Sequence, residues 1–402
     1  MESNLPKHNY QTNNIMKTKT SLLATAATIA LLGASNGQTV IDITGSTAGR
    51  ATVHPQILAN LTGTVTTAWY RSDGQATSVG SADAVIYKGG SIGGTPVTVR
   101  TYWAGSASGV DFVSNQIQLD KLFISTGVTA ANAQLTGTLA ALQIGTSLAA
   151  ASAETVSEFG FSDVKQAATP FQTNTLAEQT DMLVLPFRFL RTEFLTGVTN
   201  ITSQMARTAY TAGGDTKKSL FTGVAADTES VFAVGRDNDS GTRIAALAET
   251  GIGVFKGLTQ WNCLTTGSGA TAAFSGSPFE VGNGGYASGG GVATILGASG
   301  GGINFIGYVG VSDAVSATNN GAVALNFNGV PFSIDNVKNG SYTYWSKYQA
   351  IRRITLTAPT STLFANLKTA LIGAPTAVNG STIKLSEMTV DRLADGGDVI
   401  PN

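Results

Sequence analysis

The stretch VFAVGRDNDSGTRIAALAETG, Val231 to Gly251, begins with the apolar run of a strand and ends with the spacing of a helix. Between them the turn holds Arg236, Asp237, Asp239, Ser240, Thr242 and Arg243, in a chain that is only 12% charged. A strand ending at an arginine, followed by Ser-Gly-Thr at a helix start, can trap an anion. The first N–H groups of a helix have no internal partners and point outward. Ser240 and Thr242 add hydroxyl donors, and Gly241 lets the backbone approach a ligand closely. Arg236 can give a bidentate, charge-assisted pair to an oxyanion. The other reading is a capped surface helix whose arginines pair with Asp237 and Asp239. From this stretch alone both readings stand.

Three more turns have the same character. ITGSTAGR places Gly45-Ser46-Thr47 between a strand and a helix, YWAGSASGV places Gly105-Ser106 after another strand, and EFGFSDV places Ser162-Asp163 after a Phe-Gly pair. Each is a strand-to-turn junction bearing hydroxyls. In open α/β sheets, ligands gather at such carboxyl ends of strands.

These turns need strands and helices to hold them. TVIDITG, AVIYKGG and TPVTVRTYWAG read as strands. DMLVLPFRF, SVFAVGR and INFIGYVGV are apolar runs bounded by turn residues, the pattern of buried parallel strands. In TRIAALAETG, Ile244, Leu247 and Ala248 share a helical face; in TLFANLKTALIG, Leu363, Leu367, Ala370 and Leu371 do so, with Gly373 as the stop and Pro375 after it. Alternating strands and helices define an α/β class. Thr126 to Ser157, rich in Ala, Thr and Leu, reads as an inserted subdomain. The glycine-rich Gly267 to Gly302 reads as loops around one helix near Val292 to Leu296.

Composition narrows the function classes. The chain has 402 residues, enough for two ordinary domains, and a net charge of -1, which gives no field to attract nucleic acid or an anionic membrane. An anion site must therefore be local. The one cysteine, Cys263, excludes an intramolecular disulfide and reads as a small buried residue. From Met16 the N-terminus reads MKTKTSLLATAATIALLGASNGQ: basic Lys17 and Lys19, an apolar run from Ser21 to Leu32, and small Ser35 and Gly37 before Gln38. This is the pattern of an export signal cleaved near Gly37. The run is shorter than the ~20 residues of a membrane span. Translation could start at Met1 or Met16. Cleavage would leave His54 as the only histidine of the mature chain, too little for a Ser-His-Asp enzyme, and in GSASG the central place of a nucleophile elbow is taken by Ala107. The sequence DNDSG lacks the spacing of a calcium loop, and there is no Cys/His cluster for zinc. No catalytic residue, metal or cofactor is expected.

In order and content the four turns resemble those of the phosphate-binding proteins that serve bacterial phosphate ABC transporters, of the type II periplasmic-binding superfamily. GINFIGYVGVSDA and GGYASGGGVA resemble that family's later segments. The similarity spans most of the chain after the leader. It implies an α/β protein of two lobes with a ligand cleft between them: residues 1–37 as leader and signal peptide, 38–187 plus 322–402 as lobe 1, and 188–321 as lobe 2. It also implies that Thr47, the backbone of Ala48, Ser106 and Asp163 hold inorganic phosphate from one lobe, Asp163 accepting the ligand's proton. Arg236, Ser240, Gly241 and Thr242 would clamp it from the other. The chain departs from the family at Asn238, where an acidic residue is usual. It departs again at Ser108, which could replace one contact, and in the long Asp111 to Ser157 connection. The expected protein is thus an exported, monomeric binder of phosphate, periplasmic or secreted, with an ABC permease complex as partner. The alternatives are an exported surface or structural protein that keeps the fold without transporting, and a binder of another oxyanion.

Overall fold

Thr39–Gly45, which the sequence reads as a strand, buries Ile41 and Ile43 completely, and every residue from Ile41 onward is out of solvent. Such two-sided burial needs a layer on each face, which places the strand inside a sheet. The computed structural model describes residues 38–71, 78–115, 123–135, 157–213, 215–267 and 269–402. The expected signal peptide and most of the proposed insertion lie outside these residues.

Among the described residues the main sheet has 13 strands. Its order runs Ala133–Gln134, Thr66–Tyr70, Ala84–Ile92, Thr95–Tyr102, Thr39–Gly45, Phe159–Ser162, Trp345–Arg352, Glu178–Arg191, Phe305–Gly310, Ser230–Val234 and Asp215–Lys217, with Val323–Ala324 and Ile383–Lys384 also paired to the long Glu178–Arg191 strand. That long strand divides the sheet. Its first part pairs with Trp345–Arg352 up to Pro186 opposite Trp345. From Phe187 onward it pairs with Phe305–Gly310. Pro186, which has no N–H to give a ladder, sits where the partners change. The first half of the sheet therefore carries the Ser46, Ser106 and Asp163 turns, and the second half carries the Arg236 turn.

One expectation from the apolar runs is corrected. Ser230–Val234 and Phe305–Gly310 do pair in parallel. The long strand, containing DMLVLPFRF, is antiparallel to both its principal neighbours. The hydrophobic pattern reports burial on both faces. Direction is set by the crossings of the chain, which leave no mark on it.

The helix Thr360–Gly373 ends where the sequence placed its stop, with Leu363, Leu367 and Leu371 fully buried. Gly241–Glu249 buries Ile244 and Leu247 on the expected face, with Ala248 half-buried beside them. The glycine-rich region contains the expected helix, Gly289–Leu296. It also contributes to two small sheets that were not foreseen: Gln260–Asn262 with Phe279–Gly282, and Thr265–Thr266 with Ala273–Phe274. Strands of two to four residues are too short to show a period. Of Thr126 to Ser157, the described part holds the short strand Ala133–Gln134, parallel to Ala68 and Trp69. Among the described residues no helix is long and apolar enough to cross a membrane.

Candidate functional site

Each of the four turns lies at the carboxyl end of a buried strand, and each is shaped by its small residues. Gly45 closes Thr39–Gly45 at φ 138°, and a Cβ there would overlap the carbonyl of Phe161. The Ser46 N–H donates to that same carbonyl at 2.9 Å. Gly105, at φ 121°, donates its N–H to the Gly45 carbonyl at 3.0 Å. The first two turns are thereby fixed to one another and to the end of Phe159–Ser162.

Ser106 opens the helix Ser106–Asn115 and is fully buried. Its hydroxyl donates to Asp163 Oδ1, and its Oγ accepts the Asp163 N–H at 3.0 Å. Asp163 is 1% exposed, and among the described residues its Oδ2 has no hydrogen-bond partner. Burial pushes the Asp163 pKa up, opposed by the Ser106 hydroxyl, the charge of Arg236 and the Ser46 hydroxyl, which lies close to the carboxylate but makes no hydrogen bond to Oδ2. A buried carboxylate oxygen without a donor is costly unless a ligand or a proton satisfies it.

Arg236 is also 1% exposed. Its Nε donates to the Tyr286 carbonyl at 2.9 Å, and its Nη2 to the Ala287 carbonyl at 2.9 Å and to Thr47 Oγ1 at 3.1 Å. The last bond joins the two halves of the sheet. These acceptors are neutral oxygens, so they orient the guanidinium and leave its charge in place. Ser240 caps the helix Gly241–Glu249, its Oγ accepting the Arg243 N–H at 3.2 Å. Gly241 sits against the first half so closely that a Cβ would overlap Asp163 Oδ1 and Ser106 Oγ. The Ala107 N–H donates to the Asp239 carbonyl at 3.0 Å, again across the halves. Thr242 is buried in the first turn of the helix.

The structure thus brings Thr47, Ser106, Asp163, Arg236, Ser240, Gly241 and Thr242 into one junction, Thr47 half-buried and the others buried. Ala48 lies in the turn before the helix Arg50–Ala59, beside Thr47, and its backbone N–H donates to Ser46 Oγ at 3.0 Å. The capped-surface-helix reading is not what is found. Arg243 is 2% exposed and donates to the carbonyls of Arg236 and Asn283, at 3.1 and 2.8 Å, and to Asn283 Oδ1. It holds the Arg236 turn from below, where a helix position free to face solvent had been one option.

Several supporting groups carry no sequence signal. Ser346 Oγ donates to the Asp163 carbonyl, and the Arg236 N–H reaches Tyr308 Oη at 3.4 Å. Tyr308 lies in the INFIGYVGV run, but its hydroxyl contact depends on the pairing of two strands. His54 is accounted for by packing. Trp103 Nε1–H donates to His54 Nε2 at 2.9 Å, which assigns the ring proton to Nδ1, 2.6 Å from Tyr87 Oη. Burial holds its pKa down at about 3, so the ring is neutral. Cys263 is buried. No group of three or more His, Cys, Asp or Glu suited to a metal is found among the described residues.

The class so defined is a mixed α/β protein in which hydroxyls, a carboxylate and an arginine from two sheet halves meet at the ends of buried strands. No protein-family model matches the chain, and no curated protein matches it. Among solved structures it is similar to a putative phosphate ABC transporter substrate-binding protein with bound phosphate from Clostridium perfringens, at 15% identity and a TM-score of 0.48, over 86% of this chain and 100% of that one. It is also similar to an ABC-type phosphate transport receptor from Vibrio cholerae, at 13% identity and a TM-score of 0.45, over 85% of this chain and 99% of that one. A possible phosphate binding protein from Planctomyces limnophilus follows at 12% identity and a TM-score of 0.39, over 84% of this chain and 88% of that one.

Proposed function

We propose that the chain is an exported solute-binding protein that captures inorganic phosphate between two lobes, residues 38–187 plus 322–402 and residues 188–321. The observation that carries this reading is the buried Asp163 carboxylate. One oxygen holds the Ser106 hydroxyl and the other lacks a donor, while the N-terminus of the helix Gly241–Glu249 and the Arg236 guanidinium come from the opposite half. A tetrahedral oxyanion that still carries a proton suits such a set. Its O–H serves the free carboxylate oxygen, and its other oxygens accept from the arginine, the hydroxyls of Thr47, Ser240 and Thr242, and the helix N–H groups, while the Ser106 hydroxyl holds Asp163 in place.

Gly241 lies directly on Asp163, so an ion reaches this place only when the halves separate. Binding then consists of opening, capture and closure around a dehydrated ion, with no bond made or broken. Periplasmic or secreted location, action as a monomer and delivery to an ABC permease belong to the same proposal. They rest on the leader pattern from Met16 to Gly37 and on the family resemblance of the four turns.

Equilibrium dialysis of the mature chain against labelled phosphate, with sulfate, molybdate or a phosphate monoester as competitor, tests the reading. Saturable retention of one phosphate per chain, undisturbed by sulfate, is expected. Retention that sulfate abolishes would transfer the site to another oxyanion, and no retention at all would remove it.

A further inference from the structure

The helix Arg50–Ala59 turns Ala51, His54, Pro55 and Leu58, spaced i, i+3, i+4 and i+7, toward one side. Facing them, Thr67 and Trp69 project from one face of Thr66–Tyr70, and Tyr87 stands directly across from Thr67 on Ala84–Ile92. Alanine and proline are too small to fill the space between helix and sheet. A cavity of about 480 Å³ results, with Val79 and Gly80 of the turn Val79–Ser81 also in its wall. Its size falls inside the ~300–1,000 Å³ of small-molecule sites. Ala51, Pro55 and Leu58 are exposed at the rim, whereas His54 and Tyr87 are each 2% exposed. None of the lining residues belongs to the anion junction, and none is Asp, Glu, Lys or Arg.

The polar group of this wall has a fixed direction. The Trp103 indole N–H can only donate, and it donates to His54 Nε2 at 2.9 Å. That nitrogen therefore carries no proton, the ring is neutral, and its one proton sits on Nδ1. Nδ1–H then donates to Tyr87 Oη at 2.6 Å. Tyr87 accepts in this bond, so its own O–H needs a further acceptor. Among the described residues it has none. A buried hydroxyl donor without an acceptor is costly. The chain of donors from Trp103 through His54 thus ends in an unspent O–H on a residue of the cavity wall.

We propose that this cavity is a second ligand site, built on the first half alone, for a small uncharged apolar molecule whose carbonyl or ether oxygen accepts the Tyr87 O–H. The aliphatic helix side and the Trp69 and Tyr87 rings suit an apolar, flat body. An anion finds no cation in the wall. A ligand that only donates leaves the Tyr87 proton unmatched. The site does not depend on the phosphate reading, because it shares no residue with the anion junction.

The test is a magnetic-resonance titration of the isotope-labelled mature chain, read at the indole N–H signals of Trp69 and Trp103. The probes are acetophenone and α-methylstyrene, which have nearly the same shape but differ in carrying or lacking the oxygen. Saturable binding of acetophenone is expected, tighter than α-methylstyrene by about 3- to 10-fold, the worth of one neutral hydrogen bond. The Trp69 signal should move with either probe. The Trp103 signal should move only with the ketone, because an acceptor on Tyr87 polarises the chain of bonds behind it. Tyr87→Phe should erase the preference between the probes. Ala51→Phe, a substitution at the exposed rim, should block both while leaving a phosphate titration as in wild type. Should Tyr87→Phe fail to fold, the wild-type preference, the Trp103 signal and Ala51→Phe carry the test. Equal affinity for the two probes, absence of saturable binding, or binding that Ala51→Phe leaves intact would overturn the proposal and make the cavity a solvent-filled packing gap.

Discussion

Gly241, the first residue of its helix, lies directly against the carboxylate of Asp163 and the hydroxyl of Ser106. The relationship explains why glycine stands there, since any Cβ would hold the two halves apart. Gly241→Ala should weaken phosphate binding about 5- to 150-fold, the equivalent of the roughly 1–3 kcal/mol that an inserted methyl costs in a packed site. Calorimetry reads the loss, and scattering should show the halves no longer drawing together with phosphate. Wild-type affinity in this variant would mean that the closed contact plays no part in binding.

Asp163 sets the choice among oxyanions. When ionised it accepts a hydrogen bond from a protonated phosphate and repels sulfate, which has no proton to offer near neutral pH. Burial raises its pKa, so as pH falls the carboxyl takes up a proton and becomes a donor. Sulfate binding by wild type should therefore be absent near neutral pH and appear on acidification. Asp163→Asn should bind sulfate at both. Competition dialysis across pH checks this; a sulfate affinity indifferent to pH and to the substitution would leave Asp163 with a purely structural role in its turn.

The two arginines of the turn divide their work. Arg236 points its charge into the junction, while Arg243 is spent on Arg236 O and Asn283. Arg236→Ala should abolish measurable phosphate binding with a modest loss of stability. Arg243→Ala should lose about 2–3 kcal/mol of stability, as expected for removing a charged donor from buried acceptors, and lose less affinity than Arg236→Ala. Urea unfolding and calorimetry on both variants separate the roles. Greater loss of affinity in the Arg243 variant would reverse them.

Stability should fall as pH rises from about 5 toward neutrality, through Glu158. Its Oε2 accepts the Asp42 N–H at 2.9 Å, beside the buried Asp42–Arg100 pair at 2.6 Å. Burial and the charge of Asp42 push its pKa up to about 7 from 4.5. The folded state then holds a proton that the unfolded chain releases, so this stabilisation is full below the unfolded value and lost as pH climbs through about 7. Denaturation midpoints should decline between pH 5 and 8, and Glu158→Gln, which keeps the acceptor oxygen, should flatten that decline (roughly one folded-to-unfolded titration). An unaltered slope in the variant would place the pH dependence elsewhere.

What could be read from the sequence follows from what sequence encodes locally. The turns at Ser46, Ser106, Asp163 and Ser240 were legible because a strand end, a backbone conformation open to glycine and a hydroxyl leave a signature of a few adjacent residues. The antiparallel course of Glu178–Arg191 was not legible, because a strand buried on both faces looks the same in either direction. Nor was the engagement of the Ala48 N–H by Ser46, or the burial of Arg243. The first is set by how a turn closes on itself within two residues, the second by Asn283, 40 residues further along the chain. The three glycines at Gly289 were visible, but their reason lies in Asp313 and Arg71, which only the folded chain brings to them.

The measurement that bears most directly on the central claim is a calorimetric titration of the mature chain with inorganic phosphate near neutral pH, repeated with excess sulfate in the cell. The account predicts saturable binding of one phosphate per chain, with the same affinity in both runs. Absence of a binding signal, or a signal that sulfate removes, would contradict it.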